Sequence, residues 1–189
     1  MTIGILALQG AFIEHQHMLN QLNIDSFLIR NAKDLSQPMD GIILPGGEST
    51  TMRRLLDSLN LYQPLNNMIK KGLPTLGTCA GMILLADHIE NDQTDHFRLL
   101  PVTVKRNAYG RQLGSFYTED SFNGKHIPMV FIRAPYVIKA SPDVNILSEV
   151  DGHIVAVSYQ NILATAFHPE LSDDLTVLKH FIDMIHNQA

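Results

Sequence analysis

Leu73-Pro-Thr-Leu-Gly-Thr-Cys-Ala-Gly-Met82 joins a short apolar run to an apolar segment, and this junction decides the fold. Leu73–Gly77 is predicted to be a strand covered on both faces, and Met82–Ile89 is predicted to be a helix. Two glycines flank Cys79 in the pattern G-x-C-x-G, which is typical of a tight strand-to-helix turn that raises a nucleophile above a parallel sheet. The sequence therefore predicts an α/β protein with Cys79 at one edge of its sheet.

The chain upstream of this junction alternates in the same way between short apolar runs and amphipathic segments. Strands are predicted at Ile3–Leu8, Ser26–Arg30 and Asp40–Pro45, and helices at Phe12–Leu22, Thr50–Leu61 and Leu65–Lys71. Strands that alternate with helices form a parallel sheet with helices on both faces.

Beyond about residue 95 the pattern changes to strands joined by short turns. Strands are predicted at Val102–Lys105, Gly114–Tyr117, Met129–Arg133, Val144–Val150, Ile154–Tyr159 and Ile162–Phe167. Asn123-Gly124 and Asp151-Gly152 are hairpin signals. A last helix is predicted at Ser172–His186, capped by Ser172 or Asp173. The second half therefore adds mostly antiparallel strands to the sheet.

Composition excludes several classes of protein. The 189 residues, 45% of them hydrophobic, are enough for one domain spanning 1–189 with a single core. A net charge of −5 argues against a nucleic-acid partner, and no apolar run is long enough to cross a membrane. The single cysteine cannot form an internal disulfide, and the first residues lack the basic region of a signal peptide. We expect a cytoplasmic protein, and the charged fraction of only 17% suggests that a partner covers part of the surface.

Cys79 is the candidate nucleophile. At the start of a helix its sulfur lies in a partial positive charge, which favours the thiolate, and the N–H of Ala80 points to where an oxyanion could form. The alternative is a small cysteine that packs under the helix. A base from elsewhere in the chain decides between the two.

Ala166-Phe-His-Pro-Glu170 supplies that base. His168 and Glu170 are two residues apart, so that in extended backbone both side chains point to the same side. The proline between them favours that backbone for His168. Glu170 can then accept a hydrogen bond from one ring nitrogen while the other faces the thiol. The remaining eight histidines, among them His15 and His96, are expected to be mostly solvated.

Leu44-Pro-Gly-Gly-Glu-Ser-Thr-Thr51 follows another predicted buried strand. Gly46 and Gly47 allow a sharp turn with a backbone N–H aimed at a ligand, and Ser49 can cap the next helix. A plain capped turn is the alternative, and the phosphate-binding glycine motifs are absent. Because this loop and the elbow both follow parallel strands, both should open on one crevice.

Arg106 and Arg133 are further binding candidates, because a guanidinium can hold a carboxylate through two parallel hydrogen bonds. A surface ion pair is the alternative for each arginine.

Together, PGGEST followed by TMRR, GTCAG, RNAYGRQ, FIRAP and FHPE resemble the class I (triad) glutamine amidotransferases. More narrowly, the chain resembles the PdxT/SNO family, the glutaminase subunits of pyridoxal 5′-phosphate (PLP) synthase. The likeness extends from Ile3 to the last helix. It implies a flavodoxin-like three-layer α/β sandwich whose mixed sheet is mostly parallel.

The resemblance implies hydrolysis of L-glutamine to glutamate and ammonia without a metal or an organic cofactor. Its implied catalytic residues are Cys79 as nucleophile, His168 as base and acid, and Glu170 as the group that orients the histidine. Its implied glutamine-binding residues are Gly47, Glu48, Ser49, Arg106, Ile132 and Arg133, and the implied oxyanion-hole donors are the N–H groups of Gly47 and Ala80. The implied partner is the (β/α)8-barrel synthase subunit, in a large hetero-oligomer.

Three other interpretations stay open. The chain could serve another synthase, such as imidazole glycerol phosphate synthase, although PGGEST-TMRR and FIRAP argue against this. It could be a non-enzymatic interaction module that kept the motif, or a cysteine hydrolase for another amide or ester. Each differs from the first interpretation in substrate, in partner or in the reactivity of Cys79.

Overall fold

The first half of the chain forms parallel strands that alternate with helices. The computed structural model describes residues 1–109 and 114–187. Strands β1 to β4 are Thr2–Leu6, Asp25–Ile29, Gly41–Leu44 and Thr75–Thr78. Helices α1 to α4 are Phe12–Gln21, Ser49–Ser58, Tyr62–Lys70 and Ala80–Leu85, and a short 3-10 helix spans Ala32–Ser36. The predicted alternation is confirmed here, with most boundaries within a few residues.

The second half is mainly strands. Strands β5 to β12 are Ala86–Ile89, Leu100–Lys105, Ser115–Phe122, Lys125–Ile132, Tyr136–Ala140, Asn145–Val150, His153–Tyr159 and Ile162–Thr165. A 3-10 helix at Pro169–Leu171 and helix α5, Thr176–His186, follow them. Both hairpin signals are confirmed, because Asn123 and Asp151 turn the chain with φ of 48° and 50°, as two-residue hairpin turns require.

Within the described residues, ten strands form one sheet whose main path runs β2-β1-β3-β4-β12-β11-β9-β6-β5, while β10 pairs with β11. The pairs from β2 to β12 are parallel, and β12-β11, β11-β9 and β9-β6 are antiparallel. Strands β7 and β8 form a separate hairpin. The result is the flavodoxin-like three-layer α/β sandwich with a mixed sheet that the resemblance implies.

Two local predictions were wrong, and one strand was missed. The predicted helix Met82–Ile89 ends at Leu85, because the residues that follow pair with β6 in parallel register as β5. Strand β9 was not predicted at all. Neither Ser172 nor Asp173 caps the last helix: it begins four residues later than predicted, and the Asp174 carboxylate accepts from the N–H of Thr176 at 2.8 Å.

The fold brings four loops to one edge of the sheet. Strands β1, β3, β4 and β12 are consecutive and parallel, so their carboxyl ends lie side by side. The loops after these strands carry Gln9, the Gly46-Gly47 turn, Cys79 and His168, respectively. Open α/β sheets bind ligands outside the carboxyl ends of their strands, and the predicted site residues therefore converge there.

Candidate active site

Cys79 forms the sharp turn between β4 and α4. Its backbone adopts φ 48° and ψ −100°, a conformation that non-glycine residues avoid unless their surroundings enforce it. The Cys79 N–H donates to the carbonyl of Thr165 at the end of β12, at 2.8 Å. A Cβ on Gly81 would collide with the carbonyl oxygen of Leu44 on β3, so only glycine lets α4 start this close to the sheet. The predicted elbow is thus present, with a buried thiol at a helix N-terminus.

His168 and Glu170 form a buried pair beside this thiol. His168 Nδ1 is 2.8 Å from Glu170 Oε1, and the Glu170 carboxylate is fully covered. Burial opposes protonation of His168, but hydrogen bonds with Cys79 and Glu170 outweigh it and raise its pKa to about 10. Burial also opposes ionisation of Glu170, yet His15 and His168 lower the pKa of its carboxyl. The arrangement favours a protonated histidine between a carboxylate and a cysteine sulfur.

The loop Gly46–Glu48 lies against the histidine and is held at several points. Gln9 Oε1 accepts from the N–H of Glu48 at 2.7 Å, and the carbonyl of Gly46 accepts from Ala11. A Cβ on Gly46 would overlap the ring of His168, so glycine is needed for this close approach. The loop therefore forms one wall of the site.

Glu48, and not Ser49, caps helix α2, which corrects the sequence prediction. Its carboxylate accepts from the N–H groups of Thr50 and Thr51 at 3.0 and 2.8 Å. Partial burial opposes ionisation, but these bonds and one from the Thr51 hydroxyl lower the pKa of Glu48 to about 2. Since the Glu48 side chain is engaged in the cap, it fixes the loop, while Ser49 is buried beside the cavity.

Arg106 is oriented by two partners. Its guanidinium Nη2 is 2.8 Å from Asp92 Oδ2, and Nη1 donates to the Thr50 hydroxyl at 3.2 Å. Each of these contacts uses one N–H of a guanidinium group that carries five. Asp92 was not predicted to belong to the site, since its stretch carries no motif.

Ile132 and Arg133, at the end of β8, form a further part of the lining of the site. The Cys79 sulfur is 3.9 Å from the carbonyl oxygen of Ile132. Arg133 follows with φ 42°, and its N–H donates to the carbonyl of Gly114. A non-glycine residue in this region of backbone space is strained, and such strain is concentrated at ligand sites.

One cavity of about 330 Å³ unites these elements. This volume lies in the usual range for small-molecule sites. Of the predicted site residues, those that line it are Gly47, Glu48, Ser49, Cys79, Arg106, Ile132, Arg133 and His168. Glu170 lies behind the histidine and Ala80 is buried at the start of α4. Gln9, Ile83 and Asn107 also line the cavity and were not predicted as site residues.

The expectation that the other histidines are solvated is wrong for His15 and His96. Both are buried, with 1% and 4% of their surface exposed. His15 lies on α1, on the same face as the buried residues Met18 and Leu19, and this helical spacing was the available signal. Because histidine is a polar residue, the burial of His15 was not predicted from this spacing.

Residues 1–109 and 114–187 contain neither a metal-binding cluster nor a membrane-spanning helix. No three His, Cys, Asp or Glu side chains are grouped so that they could hold a metal ion. None of the helices there has the length and apolar character needed to cross a membrane.

Comparison with known proteins gives consistent matches over the whole chain. The sequence profile of the SNO glutamine amidotransferase family matches residues 5–187. A protein of Desulfitobacterium hafniense (strain DSM 10664 / DCB-2), named pyridoxal 5′-phosphate synthase subunit PdxT, is 53% identical over 187 residues, covering 98% of this chain and 94% of that one. The protein of the same name from Streptococcus pneumoniae (strain CGSP14) is 51% identical, covering 97% of each chain. A crystal structure of a glutamine amidotransferase superposes with a TM-score of 0.91 at 34% identity, covering 97% of this chain and 98% of that chain.

The mixed sheet, with a cysteine elbow at the edge where its parallel strands end, defines the class I glutamine amidotransferase fold. Within this class, the chain belongs to the SNO glutamine amidotransferase family.

Proposed function

We propose that the chain is a glutaminase that hydrolyses L-glutamine to glutamate and ammonia with a Cys79-His168-Glu170 triad, and that residues 1–189 act as one domain. One observation carries the proposal: Cys79 and His168 line the same cavity, and the far ring nitrogen of His168 is held by a buried carboxylate at 2.8 Å. A nucleophile, a base and a group that orients the base are the parts that acyl transfer requires.

The reaction follows from these positions. The Cys79 thiolate attacks the side-chain amide carbon of glutamine and forms a C–S bond, while the carbonyl electrons move to oxygen. N–H groups of Gly47 and Ala80 stabilise this oxyanion. His168 gives its proton to the leaving nitrogen, and ammonia departs from a thioester. His168 then takes a proton from water, which attacks the thioester and releases glutamate. The sum is glutamine and water to glutamate and ammonia.

Binding of the substrate uses the cavity lining around the triad. The Arg106 and Arg133 guanidinium groups attract the α-carboxylate of glutamine, since arginine holds carboxylates in paired hydrogen bonds. Ser49, Ile132 and the backbone of the Gly47-Glu48 turn complete the contacts. The cysteine then lies beside the side-chain amide.

The ammonia serves synthesis of pyridoxal 5′-phosphate, a function supported by relatives at 53% and 51% identity that are named subunits of that synthase. The partner is the (β/α)8-barrel synthase subunit, and the two assemble in a large hetero-oligomer in the cytoplasm. Gly10, Gly47 and Glu48 are exposed beside the cavity, so a partner that docks there would cover the exit for ammonia. Free ammonia would otherwise be protonated and lost to synthesis.

The test is steady-state glutamate release by the full chain, with and without the synthase subunit of a related PLP synthase. Cys79→Ser should abolish release and His168→Asn should nearly do so, whereas Glu170→Gln should retain part of the rate because Glu170 does not touch the substrate. Activity of the Cys79 variant above a few per cent would refute the triad. A titration with the synthase subunit should raise turnover, and a flat response would refute the coupling.

A further inference from the structure

His15 lies directly behind the triad, although the proposed mechanism gives it no role. Its ring nitrogen Nε2 is 3.4 Å from Glu170 Oε2, the carboxylate oxygen that does not face His168. The same nitrogen is 3.3 Å from the hydroxyl of Thr78, the last residue of β4 before Cys79. Side chains from α1, β4 and the 3-10 helix therefore meet at one point.

Glu170 needs a second donor at this point. A buried carboxylate is costly unless hydrogen bonds compensate both of its oxygens. His168 satisfies Oε1, whereas Oε2 is completely buried and, within the part of the chain that the structure describes, has no hydrogen-bond partner; His15 Nε2 lies 3.4 Å from it without hydrogen-bond geometry. The His15 ring is thus placed to fill this need.

The lowered pKa of His15 favours its neutral form. Burial lowers its pKa, and the protonated His168 acts in the same direction, against the opposing charges of Glu170 and of Glu14 on α1. The uncharged ring carries one N–H, and with this proton on Nε2 it is within hydrogen-bond reach of the Thr78 oxygen, with Glu170 Oε2 at 3.4 Å from the same nitrogen. A small rotation of the ring would turn the N–H from Thr78 to Oε2. In this neutral form His15 acts on Glu170 as a donor only, whereas a protonated ring would also lower the pKa of the carboxyl through its charge.

We propose that His15 is a positioning residue that orients the Glu170 carboxylate from behind, so that Oε1 stays aligned with His168. The inference rests on the triad of the proposed function. It extends the line of contacting side chains from Cys79 through His168 and Glu170 to His15 and Thr78. A purely structural role would affect stability only, whereas positioning also sets the protonation range of His168.

The test compares two replacements of His15 in the full chain. His15→Met keeps most of the side-chain volume but removes the donor, whereas His15→Gln returns an N–H near the position of Nε2. His17→Met is the matched control, because His17 lies on the same helix with its side chain exposed. Glutamate release is measured from neutral to alkaline pH, and the titration of the His168 ring is followed by NMR with labelled histidine, assigned with His168→Asn.

His15→Met should lower kcat about tenfold with little change in KM, the lower end of what the loss of an outer hydrogen-bond partner costs. It should also move the titration of His168, and with it the alkaline limb of the rate profile, to lower pH, since a loosened carboxylate stabilises the imidazolium less. His15→Gln should restore most of the rate and of the titration, and His17→Met should match the wild type.

An unchanged His168 titration in His15→Met would overturn the proposal, even if glutamine hydrolysis is confirmed. If His15→Met does not fold, a folded His15→Gln that fails to restore the titration would overturn it as well. The NMR readout needs no turnover, so the absence of glutaminase activity would refute the proposed function and leave the positioning test intact.

Discussion

Gly46→Ala should disable the site without disturbing the fold. The added Cβ would lie 2.8 Å from His168 Nδ1 and 3.3 Å from Nε2, and closer still to Cε1 between them. Ordinary contact begins near 3.4 Å, so the ring must retreat by more than about 0.6 Å. The φ of Gly46 lies outside the left-handed region, so φ does not exclude alanine at this position.

A retreat of this size moves the base away from Cys79 and misaligns its hydrogen bond with Glu170. Misplacement of a catalytic group by about 1 Å costs up to roughly 100-fold in rate, and we expect a loss of roughly 10- to 100-fold in kcat. The assay is steady-state glutamate release with thermal unfolding measured in parallel. The thermal midpoint should change little, because the displaced ring borders an open cavity.

Gly41→Ala is the matched control. Its Cβ would also be crowded, at 2.8 Å from Ile185 Cδ1 and 3.1 Å from Phe181 Cζ, but these atoms lie in the core at α5. This variant should lose stability and keep its kcat. Wild-type kcat in Gly46→Ala, or an equal loss of kcat in Gly41→Ala, would refute the reasoning.

Three further outcomes are expected. Glu48→Ala removes the cap of α2 and should lower the free energy of unfolding by about 1 kcal/mol, measured by urea denaturation; an unchanged midpoint would contradict the capping role. Arg106→Ala should raise KM for glutamine more than it lowers kcat, and Asp92→Asn should raise KM less; steady-state kinetics would contradict this if only kcat fell. Because folding raises the pKa of His168 to about 10, the protonated ring contributes fully to the free energy of unfolding below pH 6.5, and this contribution should disappear as pH rises through about 10. In a urea denaturation series across this pH range, the free energy of unfolding should decline less in His168→Asn than in the wild type, and an equal decline would contradict the linkage.

The geometry of the candidate site was predictable wherever a short segment determines it. The elbow at Cys79 and the His168–Glu170 pair are local patterns whose geometry follows from a few backbone constraints. Their convergence was also predictable, because parallel strands present their carboxyl ends at one edge. The roles of individual loop residues were harder to predict. Both Glu48 and Ser49 can cap helix α2, and only the loop geometry shows that Glu48 does so.

The features that were missed depend on distant contacts. Strand β5 has only four residues, too few for their hydrophobic pattern to distinguish a strand from the end of a helix. Their parallel pairing with β6 makes them a strand. His15 is buried because α1 packs against a segment more than 150 positions away. Asp92 lies beside Arg106, 14 positions further on, because β5 and β6 pair in parallel and the residues that follow the two strands meet at one edge.

The most direct test of the central claim is whether Cys79 forms a covalent bond with a glutamine-like substrate. The full chain is incubated with a glutamine-mimicking electrophile, digested and examined by peptide mass spectrometry, with free glutamine as the competitor. We predict a single adduct on Cys79 that glutamine suppresses and that is nearly absent in His168→Asn. Glutamine hydrolysis that continues while Cys79 remains unmodified, or labelling that glutamine does not reduce, would contradict the assignment of Cys79 as the nucleophile.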